Sequence, residues 1–233
     1  MQMVEDCLST AMIDETLRFA ASSLHAPATI FCWLDPNQRI AQYQTTGIPP
    51  CMMDDYLDGR YVHDPLNVYE IVGGTRDVAF LATERTCRPE ASNRMHDQFL
   101  QRYGIHDEVD FIFRLDGDAF ALLAVLNGPA EDSFADRFFN WGAMRDYLEF
   151  TLKLHPRVRR ARQDMMLASR FGLTPREIQV VDLLKNGASN LAVAQIMGIG
   201  VATVKTYVIN ILNKLGVENR AAIIAFLAQM KLA

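Results

Sequence analysis

Cysteine is sparse and scattered: Cys7, Cys32, Cys51 and Cys87 are the four thiols, and no two stand at CxxC spacing. That predicts buried, reduced thiols in a cytosolic chain. Long apolar runs are missing too, none approaching the ~20 residues of a membrane helix. The opening MQMVEDCLST lacks the positive start and apolar core of a signal peptide, so a cytoplasmic chain with no membrane association is expected. No phosphate-binding glycine loop occurs, Gly73-Gly74 included, and no Ser, Cys or Lys lies in a nucleophile motif. His-Asp pairs occur at 63–64, 96–97 and 106–107, but nothing shows Cys/His ligand spacing. No catalytic role, metal or other cofactor is expected.

What is present is half apolar by count in 233 residues, enough for one large domain or for a medium and a small one. The net charge of -5 is unevenly distributed. Residues 156–233 hold eleven Lys and Arg against four Asp and Glu, while residues 1–155 hold twelve against twenty-four. A small module for a polyanion joined to a larger acidic domain fits that asymmetry.

In the first 155 residues, Met12, Ile13, Thr16, Leu17, Ala20, Ala21 and Leu24 fall at helical spacing. ATIFCWLD and RIAQYQTT flank a turn at Asp35-Pro36-Asn37 and read as a hairpin. Short helices are predicted around 50–58 and 65–72, an apolar run at 78–82, and a helix over 89–104 that opens on proline and closes on glycine. EVDFIFRL and AFALLAVLN flank Asp116-Gly117-Asp118, a second hairpin. A long helix is expected from Glu131 to about Leu154, with Phe134, Phe138, Trp141, Met144, Tyr147, Leu148 and Thr151 on one side. The order α-β-β-α-α-β-α-β-β-α predicts an α+β domain over 1–155: an antiparallel five-stranded sheet covered by helices, similar to sensor domains of the PAS or GAF kind. His155-Pro156 should end the long helix. Residues 156–172, with Arg157, Arg159, Arg160 and Arg162 clustered, read as a solvated linker or as arginines near a phosphate backbone.

An all-α four-helix domain is expected over 173–233. Thr174-Pro175-Arg176-Glu177 is a capping box with proline at the first helical position. Ser189 or Asn190 can cap the next helix, which carries Leu191, Val193, Ala194, Ile196 and Met197 before Gly198 stops it. Two short helices and a tight glycine turn before a third form the helix-turn-helix pattern. In that third helix Val201, Val204, Val208, Ile211, Leu212 and Leu215 make one inward stripe. Its other side offers Thr203, Lys205, Thr206, Asn210, Asn213 and Lys214, with no Asp or Glu from Val201 to Val217. Such a face suits the DNA major groove, where base edges need donors and acceptors and phosphates need cations. The other reading is a neutral solvated face. The last helix, AAIIAFLAQM, is apolar nearly all round, which predicts a homodimer contact through residues such as Ile224 and Leu227 and two recognition helices on a pseudo-palindromic duplex.

LTPRE, NGASN, AQIMGI, ATVKTYV and NKLGV resemble the LuxR-type helix-turn-helix of bacterial transcription regulators over about Leu173 to Leu232. The resemblance implies that Lys205 and its neighbours meet phosphates, that exposed third-helix side chains read bases, and that Ser189 and Asn190 lie at the interface. Two departures stand out: Leu191-Ala192 replaces the family's Lys-Glu, and Gly200 replaces a capping serine. Tyr56, Tyr61 through Leu66, and Phe99 through Ile105 are similar to the autoinducer-binding domain that precedes this module in quorum-sensing regulators. There the aspartate of an Asp-Pro pair accepts from the ligand amide, which implies Asp64 as the acceptor, with Tyr56 and Tyr61 as wall residues; Trp33 is a further candidate ligand contact that can line an apolar pocket or simply be core. Asp64 has a second reading, as a helix N-cap before Pro65. Met52, Met53, Phe80 and Phe113 can line an apolar pocket or simply be core.

The lactone-donating tryptophan of that family is absent from CMMDDYLDGRYVHDP, and VAFLAT has only Phe80 where a second is expected. The family's Phe-Gly-Ile-Arg-Ser-Gly becomes Tyr-Gly-Ile-His-Asp-Glu, so that Glu108 takes the place of glycine. A site missing its carbonyl donor loses much of its selectivity. A signal other than a standard acyl-homoserine lactone is expected. The alternative is a ligand-independent member that binds DNA constitutively or silences another regulator by pairing with it.

Overall fold

The computed structural model describes residues 2–129 and 131–230. Helix α1 (Gln2–Leu24) leads into β1 (Ala28–Leu34) and β2 (Ile40–Thr46). The Asp35 carboxylate closes their turn by accepting from the Asn37 and Arg39 amides at 2.8 and 2.9 Å. Then follow α2 (Cys51–Leu57), α3 (Val68–Ile71), β3 (Val78–Phe80), α4 (Leu81–Glu84) and α5 (Glu90–Arg102). Strands β4 (Asp107–Leu115) and β5 (Asp118–Asn127) pair across Asp116 and Gly117, whose φ angles of 52° and 98° make the two-residue turn with the twist a hairpin requires.

The five strands lie antiparallel in the order β2-β1-β5-β4-β3, as the hairpin reading implies. Side chains alternate across a strand, so register decides which residues share a face. Ile30 pairs with Ala124 and Ala124 with Asp110; Cys32 pairs with Leu122 and Leu122 with Ile112. That face packs against Met52, Val68, Phe99 and Leu100 from α2, α3 and α5. The opposite face carries Phe31, Trp33, Phe111 and Phe113, with the Trp141 ring 6.3 Å from Phe111 and the His155 ring 4.8 Å from Trp33. Both faces of β4 and β5 are buried, each full burial of a large aliphatic or aromatic side chain contributing about 1.5–3 kcal/mol.

The helix expected from Glu131 is shorter. α6 spans Trp141–Lys153, and a single 3₁₀ turn at Phe134–Asp136 precedes it. Asp107 accepts from the Ser133 hydroxyl and the Phe134 amide at 2.8 and 2.7 Å, pinning the loop, and the Asn140 side chain caps α6 by accepting from the Ala143 amide. Phe138 and Tyr147, expected inside, are exposed. Of the thiols expected to be buried, Cys32 is, whereas Cys51 and Cys87 are exposed. The Cys7 side chain lies outside the described residues.

The chain divides between His155 and Pro156 into two compact units. The expected linker 156–172 is instead helix α7 (Pro156–Phe171), with Leu167 buried in the core of the second unit. Gln163 donates to the Leu227 carbonyl and accepts from Lys185, and Arg160 pairs with Asp182, which ties the helix down. Helices α8 (Pro175–Lys185), α9 (Asn190–Met197), α10 (Val201–Leu215) and α11 (Arg220–Met230) complete the unit. Residues 231–233 of the expected domain lie outside the described residues. Among those described, no single helix is long and apolar enough to cross a membrane.

Candidate functional site

Two sites emerge, one in each unit. In the second, the capping box at Thr174 is complete: Glu177 donates its amide to the Thr174 hydroxyl, and its carboxylate accepts from the Thr174 amide. Ser189 caps α9 by accepting from the Ala192 amide at 3.2 Å. Gly198, at φ 66°, supplies the left-handed residue that stops α9, and the chain turns by 110° into α10. Arg220 donates to the Leu184 and Ala188 carbonyls, placing a cation at the C-terminal end of α8.

Val204, Ile211 and Leu215 of α10 are buried, and Val201, Val208 and Leu212 lie partly buried beside them. The opposite side presents Thr203, Lys205, Thr206, Asn210 and Asn213 to solvent, as the amphipathic pattern predicts. Two expectations for this unit need correction. Lys214 is not a free cation: its ammonium donates to Glu177 at 2.7 Å and to the Gly172 carbonyl at 2.8 Å. Leu227 is 2 % exposed in the core of its own unit, leaving Ile224, at 38 %, as the outward residue of the expected dimer pair. Leu191 and Ile196 of α9 are exposed at 59 % and 65 %. Ile209, at 57 %, joins the exposed face of α10 between Thr206 and Asn210; its phase there was readable, but its apolar character concealed it.

The second site is a cavity of about 40 Å³ under the first face of the sheet. Asp64, Tyr56, Met52 and Met53 line it, with Phe99 and Leu100 from α5. Both carboxylate oxygens of Asp64 have partners within the chain. One oxygen accepts from the Leu66 amide at 2.8 Å, bracing the turn over Pro65, while the other accepts from the Tyr56 hydroxyl at 2.7 Å. It is not the N-cap of α3, since Asn67 takes that position by accepting from the Tyr69 amide.

Trp33, Phe80 and Phe113 do not reach this cavity. They project from the opposite face, Trp33 packing on Phe31 and Phe80 on Trp141, because a one-residue change in strand phase reverses the side-chain direction. Tyr61 does not line it either, standing 5.2 Å from the Tyr69 ring and 6.3 Å from Tyr56.

The lining also contains His96, Glu108 and Cys32, none of them expected as ligand contacts, and Asp110, which no sequence pattern singled out. Burial raises the Glu108 and Asp110 carboxyls well above their usual range; the charges of Asp110 and Asp64 push Glu108 higher, and that of Asp64 pushes Asp110 higher. Burial also pushes the Cys32 thiol up to about 12. For His96 burial outweighs the pull of Asp64 and lowers the imidazole below its ordinary value. Among the described residues no group of three His, Cys, Asp or Glu is placed to hold a metal ion.

The second unit is thus a helix-turn-helix domain whose α10 has one exposed, carboxylate-free side. Residues 172–227 match the model of a family described as bacterial regulatory proteins, luxR family, and this unit is a helix-turn-helix domain of that family. No curated protein sequence matches the chain. Among solved structures, the chain is similar to Escherichia coli SdiA at 15 % identity and a TM-score of 0.45, covering 96 % of this chain and 91 % of that one. A structure of SdiA in complex with octanoyl-rac-glycerol gives 14 % identity and a TM-score of 0.41, covering 95 % and 88 %.

Proposed function

We propose that the protein is a dimeric transcription regulator: α10 enters the major groove of a pseudo-palindromic duplex, and the first unit holds a small signal molecule that is not a standard acyl-homoserine lactone. The observation that carries this reading is the luxR-family match over 172–227, together with the solvent-facing Thr203, Lys205, Thr206 and Asn210 on α10. Ser189 and Asn190 stand at the start of α9, where backbone amides suit a phosphate. The exposed Ile224 on α11 supports a contact between two copies. The dimer presents two recognition helices, and a ligand acts by shifting the population of the arrangement that spans both half-sites.

The cavity's departure from a lactone site supports a different signal. A ligand-independent member is the second reading, favoured by a volume that suits only one to a few waters. Melting the purified protein with and without lactones and metabolite fractions separates the two. Ligand at 100 times its dissociation constant adds about 2.7 kcal/mol of stability. No shift with any fraction, alongside undiminished duplex binding, selects the ligand-independent reading. Loss of salt-sensitive duplex binding altogether removes both.

A further inference from the structure

Asp64, Glu108 and Asp110 converge on one cavity whose lining contains no Lys or Arg. Glu108 and Asp110 come from one face of β4, Asp64 from the turn before α3, and all three are at least nine-tenths buried. Two features besides this acidic cluster bear on what the cavity takes. Neither ring nitrogen of His96, 2 % exposed, has a hydrogen-bond partner, and its Nε2 stands 3.5 Å from Asp64. One oxygen of Asp110 is equally buried and unpartnered. Buried polar atoms in that condition cost stability until something satisfies them.

We infer that the cavity receives a small organic cation, a primary or secondary ammonium carried on an apolar chain. The inference rests on the sensor reading of the first unit and names the chemistry of its ligand. An ammonium brings one positive charge and two or three N–H donors, matching the carboxylate oxygens of Glu108 and Asp110 and a free imidazole nitrogen. A headgroup of carbonyls draws only on the His96 N–H and a carboxylic O–H, since the Tyr56 hydroxyl is already spent on Asp64 and a thiol donates weakly, and it brings no positive charge to the carboxylates. An anionic headgroup meets three carboxylates. Met52 and Met53, flexible and apolar, are placed to yield around the chain.

The proton balance follows from the same geometry. Asp64, Tyr56 of α2, His96 of α5, Cys32 of β1 and the neighbouring Asp107 face or flank the β4 pair, and none of them is cationic while His96 is neutral. Burial and the Asp64 charge favour the protonated form of this pair, whereas an entering ammonium favours its carboxylate form, the proton passing to solvent.

The test uses the full chain with hexylamine, 1-hexanol and hexanoate, three probes sharing a tail and differing in headgroup, with an N-octanoyl homoserine lactone alongside. Thermal melts should shift upward with hexylammonium and with neither of the other two hexyl probes. Calorimetry in two buffers of different ionisation heat should show about one proton released. Asp110→Asn, nearly isosteric, should weaken hexylammonium binding at least tenfold while circular dichroism stays unchanged; Glu108→Gln serves if that variant does not fold. Equal stabilisation by 1-hexanol or hexanoate, or wild-type affinity in the variant that folds, overturns the inference. If the lactone stabilises and hexylammonium does not, the cation inference falls and so does the exclusion of a lactone, while a sensor role stands. If neither these probes nor any metabolite fraction stabilises, both fall.

Discussion

The Lys214 ammonium stands 2.7 Å from the Glu177 carboxylate, which also holds the Thr174 amide at the start of α8. Recognition helix and capping box are therefore one electrostatic unit. Burial pushes the Glu177 carboxyl up, but the Lys214 ammonium and the Thr174 amide and hydroxyl pull it down further, leaving it below its ordinary value. Lys214→Met leaves a buried carboxylate short of a donor and should destabilise the second unit by about 1–3 kcal/mol. Urea melts measure this. A variant as stable as wild type would remove the pair from the account.

Lys205 is left as the cation on the exposed face of α10. Lys205→Ala should weaken binding to all duplexes alike and lower the salt slope by about one. Lys214→Met, assayed well below its melting temperature, should leave that slope nearly unchanged. Fluorescence anisotropy across a salt series separates the two lysines, and equal slope changes would refute the assignment.

Thr206, Ile209 and Asn210 should set sequence preference. Asn210→Ala is expected to cost about 1–3 kcal/mol at its preferred base and much less elsewhere. Ile209 faces the same way and suits a thymine methyl group, so Ile209→Ala should relax discrimination between thymine and cytosine at one position. Selection from a randomised duplex pool reads both, and unchanged motifs would place these residues outside the groove.

The acidic cavity predicts a pH dependence. Glu108 and Asp110 have folded pKa values raised above the usual carboxylate range of about 4. Their contribution is whole below that value and is lost as the pH climbs through the folded values. His96 acts oppositely: its pKa is lowered, so its contribution is present above about 6.5 and lost on acidification. Asp110→Asn should therefore raise the melting temperature at pH 8 more than at pH 5. A parallel offset at both values would mean that the carboxyl keeps an ordinary pKa.

Ile224→Glu should convert a dimer to a monomer without unfolding it, since Ile224 is exposed while Ile223 and Leu227 hold α11 to its unit. Sedimentation equilibrium checks the mass. A dimer that survives Ile224→Glu uses another surface.

Much of this was legible along the chain, where short-range rules suffice. Capping boxes, left-handed glycines and an Asp-Gly hairpin turn depend on a few neighbouring residues, and they marked α8, α9, α10 and the β4–β5 pair. α7 was misread because its arginines concealed Leu167, whose burial depends on residues as distant in sequence as Leu227. Glu108 and Asp110 alternate with Val109 and Phe111, a pattern that ordinarily marks a strand's solvent face. α2, α3 and α5 cover that face here.

By itself, the sequence determined the five strands and the helices other than α4 and α7, the helix-turn-helix and the carboxylate-free side of its third helix, because propensity, caps and periodicity are local properties of the chain. Only the tertiary structure decided that Trp33 turns away from Asp64, that Lys214 is spent on Glu177, and that three carboxylates share a cavity with an unpartnered histidine. Each of these depends on register and packing between segments far apart in sequence, and no local pattern encodes them.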